Sequence, residues 1–116
     1  MRAALVCAAL ACAGAAWADE MQVQGLAQGD GSLIALASIC KLSRDEIAAL
    51  AAKQEADTLA RARAEGVAMD SAGYREYALA GLRSTAALVS QIQPGTESFE
   101  SNCRDVREKV RKKMAP

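Results

Sequence analysis

Leu42-Ser43-Arg44-Asp45-Glu46-Ile47 is the stretch that decides the fold. Ser43 and Glu46 stand three apart, the spacing of a capping box. The serine hydroxyl can accept the Glu46 amide, while the Glu46 carboxylate reaches back to the Ser43 amide. Leu42 and Ile47 flank the box at the positions of a hydrophobic staple. Ala48 to Ala52 and Ala56 to Ala64 then supply high helix propensity. Ile47, Leu50, Ala51 and Leu59 fall on one stripe, so a helix is expected from Ser43 to about Glu65, with Gly66 ending it.

Toward the C terminus the same grammar repeats. Asp70 or Ser71 starts a second long helix, with Tyr74, Tyr77, Ala78, Leu82, Leu88, Val89 and Ile92 as its apolar stripe. Gln93-Pro94-Gly95 stops it, because a residue before proline avoids helical geometry. Thr96 caps the last helix, and Glu97 and Glu100 sit near its positive end. Phe99, Cys103, Val106, Val110 and Met114 form a narrow seam along it. Lys109, Arg111, Lys112 and Lys113 gather where the helix dipole favours cations.

Upstream of Leu42, Ser32 reads as the cap of a short helix over Leu33 to Lys41, with Leu33, Leu36, Ala37 and Cys40 at helical spacing. Residues 19–31 hold Gln22, Gln24, Gln28, Gly25, Gly29 and Gly31 with no hydrophobic period. They read as a flexible N-terminal arm. Residues 1–18 read as a secretory signal peptide: Met1-Arg2 is a short basic start, Ala3 to Ala15 is apolar, and Ala16-Trp17-Ala18 offers small residues for cleavage after Ala18. The apolar run falls short of the ~20 residues that span a bilayer, so no integral membrane segment is expected. A lipoprotein signal at Cys12 fits less well, since Leu10 lies two positions before the cysteine instead of three. Alanine richness points to a GC-rich bacterium and a periplasmic or secreted protein.

No segment alternates like a strand. The expectation is an all-α fold: residues 32–116 as a single bundle of three to four helices, stapled by one disulfide. Without residues 1–18, 98 residues remain, and the loss of Arg2 turns the balance of 14 bases and 14 acids into a net charge of −1. Cys40 and Cys103 are the cysteines left, and an oxidising compartment pairs them. A bridge across 63 positions is worth ~4 kcal/mol in the loop-entropy picture. Large apolar side chains are few, so the thin core is expected to lean on that bridge, with a homodimer as an alternative support.

Histidine is absent. The usual general base, the commonest metal ligand and histidine-ligated haem go with it. No phosphate-cradling glycine loop is present, and two cysteines alone do not make a zinc site. No catalytic residue, metal site or cofactor is expected. The near-neutral charge and the scarcity of aromatics speak against nucleic acid.

Arg104, Arg107 and Arg111 share one face of the last helix and are the candidate partner-binding residues. The competing reading is a solvated face laced by Asp105–Lys109 and Glu108–Lys112 pairs. Tyr74 and Tyr77 are expected at the core edge, hydroxyls in water. The expected function is protein–protein interaction with another envelope or secreted protein, of the inhibitor, immunity or assembly-accessory type. In size, helical class, single disulfide and the lysine-rich helix after Cys103, the chain resembles the HdeA-type periplasmic acid-stress chaperones. That resemblance covers no specific motif, and the cysteine separation is longer here. It implies loosening and exposure of apolar stripes at low pH. A third expectation is a carrier of an apolar small ligand held between helices.

Overall fold

The structure, a computed structural model, describes the backbone of residues 2–116 and the side chains from Trp17 onward. The leader read over residues 1–18 lies outside the described side chains except for Trp17 and Ala18. Among the described residues, four helices make up the fold, α1 (Arg2–Ile39), α2 (Arg44–Ala64), α3 (Ser71–Val89) and α4 (Glu97–Met114), and one disulfide joins Cys40 and Cys103. Among the described residues no helix is long and apolar enough to cross a membrane.

The helix starts are local chemistry. Ser43 and Glu46 form the reciprocal capping box, and Asp70 and Thr96 each accept an amide from the residue three ahead, Gly73 and Phe99. The ends are equally local. Gly66, at φ 71°, closes α2 in a Schellman turn, with the Val67 amide on the Ala62 carbonyl at 2.8 Å. α1 closes in the same way: the Leu42 amide reaches Ala37 and the Lys41 amide reaches Ser38, both at 3.1 Å. Here the left-handed residue is Lys41, at φ 62°, which costs a side-chain-bearing residue about 1 kcal/mol.

Residues 19–31 are not a flexible arm. They continue α1 upstream of the Leu33 stretch, and Val23, Ala27, Asp30 and Gly31 are buried. The period is present, but it is written in small residues: Val23, Ala27, Gly31 and Ala35 recur every fourth position and all are buried. Gly25 and Gly29 lie on the outer side with open space around them. Ser32 is likewise no cap. It sits inside α1, and its hydroxyl donates to the Gly81 carbonyl at 3.2 Å.

α1 is the central helix, and α3 packs along it most extensively. Their backbones nearly touch. A β-carbon on Gly31 would overlap the Ala78 carbonyl, and one on Gly81 would overlap the Gln28 carbonyl. Gly31 faces Ala78 while Gln28 faces Gly81, so the two helices run antiparallel. Side chains are absent at the crossing because no room exists for them, the close-approach packing of small residues. α2 packs on α1 from another side, and α4 bridges α1 and α2.

The apolar core gathers around the disulfide: Leu33, Ala37, Cys40, Leu50, Cys103, Val106 and Val110, with Leu42, Ile47 and Phe99 packed against it. The staple residues thus join the core as read from sequence. α3 ends at Val89, short of the expected stop at Gln93, so Ile92 lies beyond the helix at 41% exposed, and within it Leu88 is 68% exposed. Met114 ends the α4 seam at the surface, 37% exposed.

The two kinds of glycine in α1 separate cleanly by experiment. Gly31→Ala should destabilise the fold by about 3 kcal/mol, since the helices must move apart. Gly29→Ala should stabilise it by about 0.5–1 kcal/mol through helix propensity. Urea unfolding of both variants checks the pair, and a neutral Gly31→Ala would rule out the close crossing.

Candidate functional site

Two features of the bundle carry polar chemistry: a buried carboxylate that all four helices share, and an arginine-edged groove on one side of α4.

The carboxylate belongs to Asp30 on α1, which is 6% exposed. Its Oδ2 accepts from Thr58 Oγ1 at 2.7 Å and from the Tyr74 hydroxyl at 2.8 Å. Its Oδ1 faces Lys113 Nζ at 3.7 Å. Gln54 completes the set. With its amide oriented by its neighbours, it donates to the Asp30 carbonyl at 3.2 Å and accepts from Lys113 Nζ at 3.3 Å. Thr58 and Gln54 are one turn apart on α2, Tyr74 comes from α3 and Lys113 from α4. A buried carboxylate without partners would be prohibitive. This one has hydrogen bonds on one oxygen and a cation at the other, so it fastens the helices to each other.

Burial pushes the Tyr74 phenol far above its ordinary range. The hydrogen bond to Asp30 and the negative charges of Asp30 and Glu55 add to the effect. Tyr74 is therefore a core residue, 5% exposed, and its hydroxyl is not in water as the sequence suggested. The hydroxyl is turned inward because Asp30 lies beneath it. Tyr77 is half-buried.

Nothing in the sequence pattern singled out Asp30, which lay within the supposed arm. The available signal was an acidic residue next to the Val23–Ala27–Gly31–Ala35 stripe, a polar position on a buried face. Gln54 and Thr58 were equally silent, because they replace apolar residues on the inner face of α2.

Arg104, Arg107 and Arg111 lie on the same side of α4, all exposed. Among the described residues none of the three forms an ion pair with a carboxylate, whereas Glu108 and Lys112 pair at 3.4 Å. The expected Asp105–Lys109 pair is not formed. Arg107 donates from Nη2 to the Cys40 carbonyl at 3.0 Å, so it also satisfies the end of α1. Arg107 and Arg111 edge a groove of about 740 Å³ between α2 and α4, with Leu42, Ala49, Val110 and Met114 as its apolar lining and Glu46 on the far wall. Arg104 continues the arginine row one turn before Arg107, beyond the groove.

Lys113 and the arginines leave the buried seam of α4 on opposite flanks. Cys103 ties the start of α4 to the end of α1, at a Cα–Cα distance of 5.3 Å. Lys113 holds its other end to Asp30. The helix is thus held at two points, Cys103 and Lys113, which bracket the arginine row. Among the described residues no cluster of three metal-ligating side chains occurs. The chain matches no protein-family model, no curated protein and no solved structure.

Two outcomes test the carboxylate's role. Asp30→Ala should cost about 3 kcal/mol of unfolding free energy, because it strands two buried hydroxyls; Asp57→Ala, which removes an exposed partner of Lys53, should cost under about 0.5 kcal/mol. The second outcome concerns alkali. Folded Tyr74 keeps its proton after the unfolded chain has released it near pH ~10, so its contribution is full below that pH and is lost as pH rises. The stability advantage of the wild type over Tyr74→Phe should shrink steadily above about pH 10 in denaturant unfolding. A gap that widened with pH would contradict a buried neutral phenol.

Proposed function

We propose that the chain is an extracytoplasmic helical interaction module that binds another envelope or secreted protein through the groove between α2 and α4. The observation that carries this reading is a row of three cations with no carboxylate partner among the described residues: Arg107 and Arg111 edge an apolar groove, and Arg104 stands in line beyond it. Solvated helix faces commonly neutralise their charges at i, i+4, as Glu108 and Lys112 do here. A row of unneutralised arginines beside exposed apolar surface has the composition of a recognition patch, where arginine is enriched. The Cys40–Cys103 bridge supports the compartment, since structural disulfides persist where the environment is oxidising. The reading as a specific binder is favoured over promiscuous chaperoning because the groove is preformed in the folded bundle.

Site-specific photocrosslinking in the cell envelope tests it. A crosslinker at Ala49 should capture one dominant protein at neutral pH, and one at Arg83, exposed on α3, should not. Arg111→Glu should abolish the Ala49 adduct. Equal capture from both positions, or many partners appearing mainly at acid pH, would discard specific binding in favour of chaperone behaviour.

A further inference from the structure

The two walls of the groove differ in charge, and that difference specifies what fits between them. The α4 wall carries Arg107 and Arg111, with Arg104 in line beyond it. The α2 wall carries Glu46, whose carboxylate also accepts the Ser43 amide at 3.4 Å. The floor is apolar and consists of Leu42, Ala49, Val110 and Met114. Arg104 to Arg111 is seven residues of helix, so the row runs about 10 Å along the α4 axis. That is two turns, the repeat on which a second helix presents residues at i, i+3 or i+4, and i+7.

We propose that the occupant of this groove is an amphipathic helix of the partner protein. Its apolar stripe lies on Leu42, Ala49, Val110 and Met114, and its flank toward α4 is a row of carboxylates. This rests on the groove being the binding surface proposed above and adds the chemistry of the partner. The argument is charge complementarity on one side only. Carboxylates at i, i+3 or i+4, and i+7 meet Arg111, Arg107 and Arg104, and each guanidinium can hold a carboxylate in bidentate fashion. A carboxylate on the opposite flank would meet Glu46, so that flank is neutral or basic. The asymmetry fixes the orientation of the incoming helix about its own axis. It also distinguishes such a helix from a uniformly acidic tail, which Glu46 would repel. Arg107 retains free donors after its bond to Cys40, which holds the side chain in position before binding.

A synthetic peptide of about 18 residues, long enough to form helix, serves as the probe. It carries leucines at i, i+4, i+7 and i+11, glutamates along one flank and lysines along the other. Binding to the full disulfide-bonded protein is followed by amide and methyl chemical shifts. Shifts should concentrate at Leu42, Ala49, Val110 and Met114 and leave Arg83 and its surroundings unmoved. Arg104→Glu with Arg111→Glu, chosen because neither side chain makes a hydrogen bond or ion pair among the described residues, should weaken binding at least about tenfold. A peptide whose facing glutamates are replaced by lysine should bind that double variant and not the wild type. Three results would overturn the proposal: no binding, equal binding of an all-lysine helix, or shifts produced only by phosphatidylglycerol vesicles. A specific crosslink from Ala49 together with a silent peptide would reject the acidic helix as occupant and leave the groove itself as the binding surface. Failure of both would remove the groove.

Discussion

A carboxylate enclosed in a thin, alanine-rich core has to be answered by polar groups from the elements around it, and Asp30 is answered from every helix of the fold. Thr58 and Gln54 come from α2, Tyr74 from α3 and Lys113 from α4. Each partner also gains from Asp30, because Thr58 and Tyr74 are buried donors and would otherwise be stranded. The network therefore punishes any arrangement in which one helix slides or turns. Apolar burial alone would specify the α1–α3 pairing poorly, since that crossing is made by glycine and alanine. The clasp supplies register where shape-complementary large side chains are scarce.

That clasp depends in turn on how closely α1 and α3 approach. Gly31 follows Asp30 directly and lies under the Ala78 carbonyl, one turn from Tyr74. Any side chain at Gly31 or Gly81 would hold the backbones apart and lift the phenol off the carboxylate. Ser32 adds a hydroxyl to the Gly81 carbonyl from within α1. Backbone contact and buried polar network are thus one unit, assembled from Gln28, Asp30, Gly31 and Ser32 of α1 and the facing turns of α3.

The candidate binding surface inherits its order from the same unit. Its arginines stand between two points at which α4 is held, the Cys40–Cys103 bridge and Lys113 on Asp30. A surface whose cations are already positioned loses less freedom on binding than a mobile one. The bridge and the clasp hold α4 at Cys103 and Lys113, about ten residues apart in sequence, and the groove runs along the flank opposite Lys113.

Residue sequence by itself determined everything that hydrogen bonds over three or four positions can decide. Ser43 and Glu46, Asp70, Thr96 and Gly66 set the ends of their helices through backbone groups a few bonds away, and the structure places those ends within a residue or two of the reading. The cysteine pairing was legible because reading residues 1–18 as a leader leaves Cys40 and Cys103 with one choice. The arginine face was legible because spacing on a helix is fixed by its pitch. What only the tertiary structure decided is the state of residues 19–31 and the position of Asp30. Gly25, Gly29 and Gly31 weaken a helix taken alone, and nothing local repays that cost. The compensation comes from Ala78, Gly81, Thr58, Tyr74 and Lys113, between 28 and 83 positions away in the chain. Burial against distant residues reverses a local propensity of about 1 kcal/mol per glycine. It also turns a polar side chain that reads as solvent-facing into a buried link between all four helices.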